Sequence, residues 1–358
     1  MMHQMALHGG DIYNQSIQYD FSVNINPLGM EFSLRQAMEK AVQHCNTYPQ
    51  YGNIRLREAI GESVGLMGEQ VLCGNGASEL LAAVVHALRP AKVVIPQPAF
   101  SGYAWAAQMV DAQIRNYMLQ EETNFAITEE ILEVLSEDVD LLFLASPSNP
   151  VGSMIAQKLL RKILVKCKVL GIVVVLDECF IEFTGKESVC KLVNQFDNLI
   201  VIRAFTKIYA IPGVRLGYLL ASHPLCDQIS RQLPEWNLSV IAQQAGCFVL
   251  APSSKQWDRE HYLEHTIEII KEERQFLTEE LIKDSGGKIR VYPSESNFLL
   301  LKTELPLYEE LLKMGILVRD CSNYEGLDRG YYRIAVREHT ANQMLLHAIG
   351  SIVKGDRL

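Results

Sequence analysis

The 358-residue chain has no long apolar run, no excess of positive charge and no CxxC pair of cysteines. No apolar run approaches the ~18 residues that cross a bilayer, and the amino terminus lacks the features of a signal peptide, so we expect no membrane contact. The formal net charge of -9 disfavours nucleic acid as a partner. The eight scattered cysteines, with no metal-ligand spacing to histidine, favour reduced thiols in the cytoplasm and no metal site.

The composition, 48% hydrophobic and 21% charged residues, is that of an ordinary globular protein. This length fits one large domain with a smaller one. Between about residues 70 and 221, short apolar segments alternate with helical patterns, which predicts a mostly parallel sheet covered on both faces. Its seven strands are predicted at residues 71–73, 92–95, 114–118, 140–145, 171–176, 199–202 and 215–220.

The rest of the chain predicts a second unit with mixed strands and helices. Strands are expected at residues 288–292, 297–302, 316–318 and 331–336, and helices at 307–314 and 341–353. Ser33 is predicted to cap a helix over residues 34–43, and another helix is expected near 128–136. We therefore predict an arm with part of the small domain over residues 1–45, a large domain over 46–245 and a small α+β domain over 246–358.

Lys207 lies between two predicted strands, in a loop at the edge of the core. A desolvated amine can lose its charge, and a neutral amine can attack a carbonyl to form a Schiff base; the alternative is a surface lysine. Thr206, Arg215 and Gly217 nearby suit a bound phosphate. A second buried strand runs into Asp177, whose carboxylate could keep a ring nitrogen protonated. Both residues fall at carboxyl ends of strands, where such sheets bind ligands.

Residues 74–79 follow a predicted strand and open a helix. Free amides and the dipole at a helix start can bind an anion, which here would contact Gly76, Ala77 and Ser78. The alternative is a plain glycine turn capped by Ser78.

Together, Asp177, Lys207 and Arg215 resemble the site of the fold-type I pyridoxal phosphate enzymes, the aspartate-aminotransferase-like family. The resemblance implies an α/β fold, with a mostly parallel seven-stranded sheet in the large domain and a small α+β domain, and pyridoxal phosphate as cofactor. It implies that Phe100 stacks on the pyridine ring and that Asn149 donates to the phenolic oxygen. It places Tyr48 across a dimer interface at the partner's cofactor phosphate, which implies a homodimer.

Three arginines near the carboxyl terminus point to an anionic substrate. Arg333 occupies the family's position for the substrate carboxylate, where a guanidinium can hold two oxygens at once. Arg319 and Arg337 exceed what one carboxylate needs, so a second anion such as a phosphate would use them. The alternative is that they are solvated surface arginines.

Within that family, the chain most resembles two branches, the histidinol-phosphate aminotransferases and the cobalamin-pathway threonine-phosphate decarboxylases. Residues 8–10, 21–29, 206–213 and 321–328 favour the latter, as does Phe180, which stands where the aminotransferases usually carry a tyrosine. This branch implies decarboxylation of O-phospho-L-threonine or O-phospho-L-serine to aminopropanol or ethanolamine phosphate. Aminotransfer from histidinol phosphate is the alternative activity, and a regulatory protein without turnover is the alternative class.

For such a phosphorylated substrate we expect His8, Asn26, Arg319 and Arg337 to anchor the phosphate, with Arg333 on the carboxylate. Anchoring the distant group selects which bond at the α-carbon is broken. Replacing Arg337 by alanine is accordingly expected to raise KM for the substrate.

Overall fold

A computed structural model of the chain describes residues 9–10, 12–13 and 16–355. Its strands are β1 (Tyr19–Asp20), β2 (Val71–Gly74), β3 (Lys92–Gln97), β4 (Gln113–Met118), β5 (Leu141–Ala145), β6 (Val173–Asp177), β7 (Leu199–Ala204), β8 (Gly217–Ala221), β9 (Arg290–Val291), β10 (Phe298–Lys302), β11 (Ile316–Leu317), β12 (Arg319–Asp320) and β13 (Tyr331–Ala335). Its α-helices are α1 (Phe32–Val42), α2 (Ile54–Val64), α3 (Ala77–Leu88), α4 (Gly102–Gln108), α5 (Ile131–Val134), α6 (Gln157–Leu170), α7 (Phe205–Ile208), α8 (His223–Ser230), α9 (Val240–Val249), α10 (Arg259–Asp284), α11 (Leu307–Lys313) and α12 (His339–Lys354).

The larger sheet has seven strands in the order β2-β8-β7-β6-β5-β3-β4. Strands β7 to β4 of this order are parallel, and β8 runs antiparallel to both of its neighbours. Central strands such as β5 and β7 are almost wholly buried, as expected for a sheet covered on both faces. The last predicted strand began too early: Arg215 has a left-handed backbone (φ 58°), so β8 starts at Gly217.

The smaller sheet is antiparallel and has the order β12-β13-β10-β9. Beside it, β1 of the arm pairs in parallel with β11, which joins the arm to the small domain. The predicted boundary at residue 245 falls inside α9. Within the described ranges, no helix is long and apolar enough to cross a membrane.

Two helices differ from their predicted form. The cap of α1 is Glu31, whose carboxylate accepts from the backbone N–H groups of Ser33 and Leu34; Ser33 lies inside the helix. Only four residues near 128–136 form an α-helix, α5, because Leu135 is extended and buries its side chain in the core.

A carboxylate joins the turn after β4 to the smaller sheet. Glu121 accepts hydrogen bonds from Arg290 (2.8 Å), Tyr292 (2.6 Å), Lys302 (2.8 Å) and Tyr331 (2.9 Å). These bonds, first those from Lys302 and Tyr292, lower the pKa of Glu121 to about 2. The carboxylate therefore stays ionised and keeps four donors of the small sheet beside the large one.

Candidate active site

A cavity of about 250 Å³ opens where β5, β6 and β7 end, with Ala145, Asp177 and Ala204 in its wall. This is the edge of a parallel sheet at which ligands bind. Of the residues predicted from the sequence, the cavity is lined by Gly76, Ala77, Ser78, Phe100, Asn149, Asp177, Thr206, Lys207, Arg215, Arg319 and Arg333. Residues 250 positions apart therefore meet at one site.

Lys207 lies on the short helix α7, directly after β7. Burial, together with the charges of Arg333 and Arg215, lowers the pKa of its amine to about 8. An ordinary lysine has a pKa near 10.5, so this side chain has a much larger neutral fraction near neutral pH. The environment therefore fits an amine that acts as a nucleophile and as a proton carrier.

Asp177 is held from two directions at the end of β6. The hydroxyl of Tyr103 donates to one carboxylate oxygen at 2.7 Å, and the backbone N–H of Cys179 donates to the other at 2.9 Å. Burial, and then the charge of Asp177, raises the pKa of Tyr103 well above its usual range, so its hydroxyl stays a donor. The carboxylate is thus oriented for a ring nitrogen.

Sequence reasoning did not single out Tyr103. Its ring lies edge-on to Phe100, with 5.7 Å between centroids, and stacks on Phe143 at 5.3 Å. Its position three residues after Phe100 could have identified it from the sequence, because this spacing places both rings on one side of a helical turn.

The turn before α3 and Arg215 form a cradle that fits a phosphate. A Cβ at Gly76 would lie 2.7 Å from Nη2 of Arg215, so only glycine lets the guanidinium pack here, and its φ of +75° also favours glycine. The N–H of Gly76 donates to Gly74 O, at 2.7 Å. The N–H groups of Ala77 and Ser78, in the first turn of α3, are the ones a helix leaves for a ligand. Gly76 thus contributes space rather than its amide.

Two arginines of the small sheet also line the cavity. Arg333 is buried and donates to Asn149 Oδ1 and to Ser22 O (2.7 Å), while its Nε has no partner among the described residues. Arg319, also buried, donates to Asn323 Oδ1 at 2.8 Å and lies over the ring of Tyr324. Because Asn149 accepts through its oxygen, its N–H groups are the donors that remain for a phenolic oxygen.

Asn24 is a further cavity residue that sequence reasoning passed over. Its side chain is buried, lines the cavity and leaves Oδ1 without a partner in the described part of the chain. A buried acceptor without a partner is costly, so a ligand donor at this point would be stabilising. Residues 21–29 contain both Asn24 and Asn26. This segment is irregular, so no repeating pattern of side chains distinguishes the asparagine at the cavity from the one in the interior.

Two predicted substrate residues form hydrogen bonds within the protein and do not line the cavity. The Asn26 amide donates to Ile208 O (2.8 Å), Tyr262 Oη (3.1 Å) and Thr266 Oγ1 (2.9 Å), which uses its donors in the protein interior. The Arg337 guanidinium donates to Asp20 O and pairs with Glu338, outside the cavity lining. Neither residue lines the cavity, and a role for either in substrate binding stays a prediction.

Two predicted residues remain, His8 and Tyr48. His8 falls outside the described residues. Tyr48 is 80% exposed and packs on Trp236, with 4.9 Å between ring centroids. Its assignment to a partner subunit's cofactor stays a prediction.

Known proteins resemble this chain over almost its whole length. The model of the family described as aminotransferase class I and II matches residues 16–352. A threonine-phosphate decarboxylase of Salmonella typhimurium is 35% identical over 363 residues, covering 98% of this chain and 97% of the relative. A histidinol-phosphate aminotransferase of Pyrococcus furiosus is 32% identical over 306 residues, covering 85% and 82%.

The solved structure of the histidinol-phosphate aminotransferase of Clostridium acetobutylicum has a TM-score of 0.86 and 30% identity to this chain. The match covers 94% of this chain and 99% of that one. The predicted fold is confirmed, and both predicted branches are represented among the relatives.

Proposed function

The chain belongs to the aminotransferase class I and II family and depends on pyridoxal phosphate, and from this we propose that it decarboxylates O-phospho-L-threonine. The products would be aminopropanol phosphate and carbon dioxide. O-phospho-L-serine is the close alternative, because one methyl group contributes only about 1 to 3 kcal/mol to discrimination in a pocket. The threonine-phosphate decarboxylase among the relatives supports this choice of substrate.

The observation that carries the proposal is the pair of arginines on the small sheet. Arg319 and Arg333 are direct cross-strand partners on β12 and β13, and both are buried at the cavity. Like charges in that position repel each other and lose hydration, so they favour a site that binds two anionic groups. O-phospho-L-threonine carries a carboxylate and a phosphate on one short skeleton and so matches both guanidiniums. Histidinol phosphate carries only the phosphate, although the 2-oxoglutarate of an aminotransferase also carries two anionic groups.

Each side chain has a distinct task in this proposal. When bound, pyridoxal phosphate supplies the electron sink that accepts the electron pair of the bond broken at the α-carbon. Asp177 holds a proton on the ring nitrogen, and Asn149 donates to the phenolic oxygen. Arg333 and Arg319 orient the substrate so that the bond to its carboxylate is the one that breaks. Lys207, with its lowered pKa, is positioned to deliver the proton that replaces carbon dioxide.

The second candidate is aminotransfer from histidinol phosphate. It is favoured by the relative from Pyrococcus furiosus and by the close structural likeness to the enzyme of Clostridium acetobutylicum. Phe180 argues for the decarboxylase. Its ring lines the cavity and packs edge-on to Phe298, at the position where the aminotransferases usually carry a tyrosine hydroxyl.

A single set of assays separates these activities. The purified protein with pyridoxal phosphate is incubated with O-phospho-L-threonine, with O-phospho-L-serine, or with histidinol phosphate plus 2-oxoglutarate. We expect carbon dioxide from a phosphorylated amino acid and no glutamate. Glutamate without carbon dioxide would make the protein an aminotransferase, and neither product with any substrate would favour a protein without turnover.

Exchanging Arg319 for glutamine should raise KM for O-phospho-L-threonine by about 10- to 150-fold, because a hydrogen bond from a charged group contributes roughly 1.5 to 3 kcal/mol. Arg337→Gln is the matched control, since that guanidinium contacts Asp20 and Glu338 rather than the cavity. Its KM should change less than about threefold. A large increase in KM for Arg337→Gln, without one for Arg319→Gln, would indicate that Arg337 binds the substrate phosphate.

A further inference from the structure

A network of polar side chains holds the turn that precedes α3. The Glu79 carboxylate accepts three hydrogen bonds: from the backbone N–H of Asn75 (2.7 Å), from the Asn75 amide (3.3 Å) and from the Asn237 amide (3.0 Å). None of these three residues lines the cavity. The network therefore lies behind the cradle formed by Ala77, Ser78 and Arg215.

Asn237 contacts this turn at three points. Besides Glu79, its amide donates to Cys73 O at 2.9 Å, and its backbone oxygen accepts from the Asn75 side chain. Asn53 donates to Asn237 Oδ1 at 3.1 Å and fixes the orientation of the amide. The turn is thus held at Cys73, one residue before the end of β2, and at Asn75, next to Gly76.

The direction of these bonds determines what the helix start can bind. A glutamate at the third position of a helix commonly reaches back to cap its own first turn. Here both oxygens of Glu79 are engaged by Asn75 and Asn237, and the N–H groups of Ala77 and Ser78 stay available. The charge of Glu79 would itself repel a phosphate, so attraction does not explain this residue. Its contribution is geometric.

We propose that Glu79 and Asn237 are positioning residues that hold the turn in the shape that binds the cofactor phosphate. They act through Gly76, Ala77 and Ser78 and do not touch the phosphate themselves. The inference rests on the assignment of the cofactor phosphate to this cradle. It is independent of whether the enzyme decarboxylates or transaminates its substrate.

The test compares two ligands that differ only in the phosphate. Apoprotein variants are titrated with pyridoxal phosphate and with pyridoxal, and binding is followed by intrinsic fluorescence and by equilibrium dialysis. Glu79→Ala and Asn237→Ala should each raise Kd for pyridoxal phosphate about tenfold or more, because bonds to a charged group are lost. Kd for pyridoxal should change less than about twofold.

Matched variants distinguish positioning from general loosening. In Glu79→Gln, one oxygen can still accept from the Asn75 N–H and the Asn237 amide, so affinity should recover to within about threefold of the parent. Glu260→Ala removes an exposed first-turn glutamate of α10 that has no such network, and it should have no effect. Should Glu79→Ala fail to fold, Asn237→Ala and Glu79→Gln decide the matter.

The Arg215→Gln variant distinguishes a failure of the positioning role from a failure of the phosphate-site assignment on which that role rests. If Arg215→Gln weakens binding of pyridoxal phosphate but Glu79→Ala and Asn237→Ala do not, the positioning role is wrong and the cradle stands. Equal losses for pyridoxal and pyridoxal phosphate in the Glu79 and Asn237 variants would also overturn it. If neither Arg215→Gln nor Glu79→Ala affects binding, the phosphate does not lie in this cradle.

Discussion

Replacing Lys207 by alanine should lower kcat at least about a thousandfold with the fold intact, because a positioned acid or base contributes a factor of roughly 10² to 10⁴ and this amine also serves as nucleophile. The side chain lies at the end of β7 against the cavity, so its loss removes the reactive group without opening the sheet core. Steady-state assays with O-phospho-L-threonine measure the effect, and the thermal midpoint checks folding. Recovery of part of the rate by added ethylamine would identify the missing amine as the cause.

Lys207→Arg is the sharper control for this prediction. A guanidinium keeps its charge in proteins, whereas the pKa of Lys207 is lowered to about 8 by burial and by Arg333 and Arg215. Arginine should therefore be as inactive as alanine. In the parent apoprotein, the neutral amine increases as the pH rises through about 8, so capture of pyridoxal phosphate should be faster at pH 9 than at pH 7. Appreciable activity in Lys207→Arg would rule out the neutral-amine role.

The second large effect is expected for Asp177→Asn, with a fall in kcat of about a hundredfold. Asparagine keeps an oxygen that can accept from Tyr103 or Cys179, but it has no charge to hold a proton on the ring nitrogen. The size follows from the loss of about 2.7 kcal/mol of transition-state stabilisation, which is a hundredfold in rate. Rates are compared at saturating cofactor, so that weaker binding is not mistaken for slower chemistry.

Tyr103→Phe provides the comparison for Asp177. It removes one hydrogen bond to the carboxylate and leaves the charge in place, so kcat should fall by only about three- to tenfold. If Asp177→Asn also keeps its rate to within threefold of the parent, the carboxylate does not serve the ring nitrogen.

The large sheet and the position of Asp177 and Lys207 at its edge could be predicted because the signals in the sequence are local. Apolar segments of strand length are distinct from the helical patterns between them, and the chain direction places Asp177 and Lys207 at one edge of a parallel sheet. The exact strand ends could not be predicted, because they depend on single backbone angles such as that of Arg215.

The residues proposed to bind the substrate were harder to predict. Side chains alternate between the two faces of a sheet only within a strand, and the sequence does not show where the strand ends. Residues 333 and 337 would share one face of a strand, and this makes both look like site residues. However, β13 ends at Ala335, and Arg337 already belongs to the approach to α12. In the arm, which has no period at all, only the tertiary contacts tell Asn24 at the cavity from Asn26 in the interior.

The four donors around Glu121 have a mechanical consequence for the cleft. They fasten the turn after β4 to strands β9, β10 and β13, and β13 carries Arg333 into the cavity. A hinge motion that swung Arg333 outward would have to break these four hydrogen bonds to the ionised Glu121 carboxylate. These bonds therefore resist movement of the small-sheet side of the cleft and keep Arg333 at the cavity.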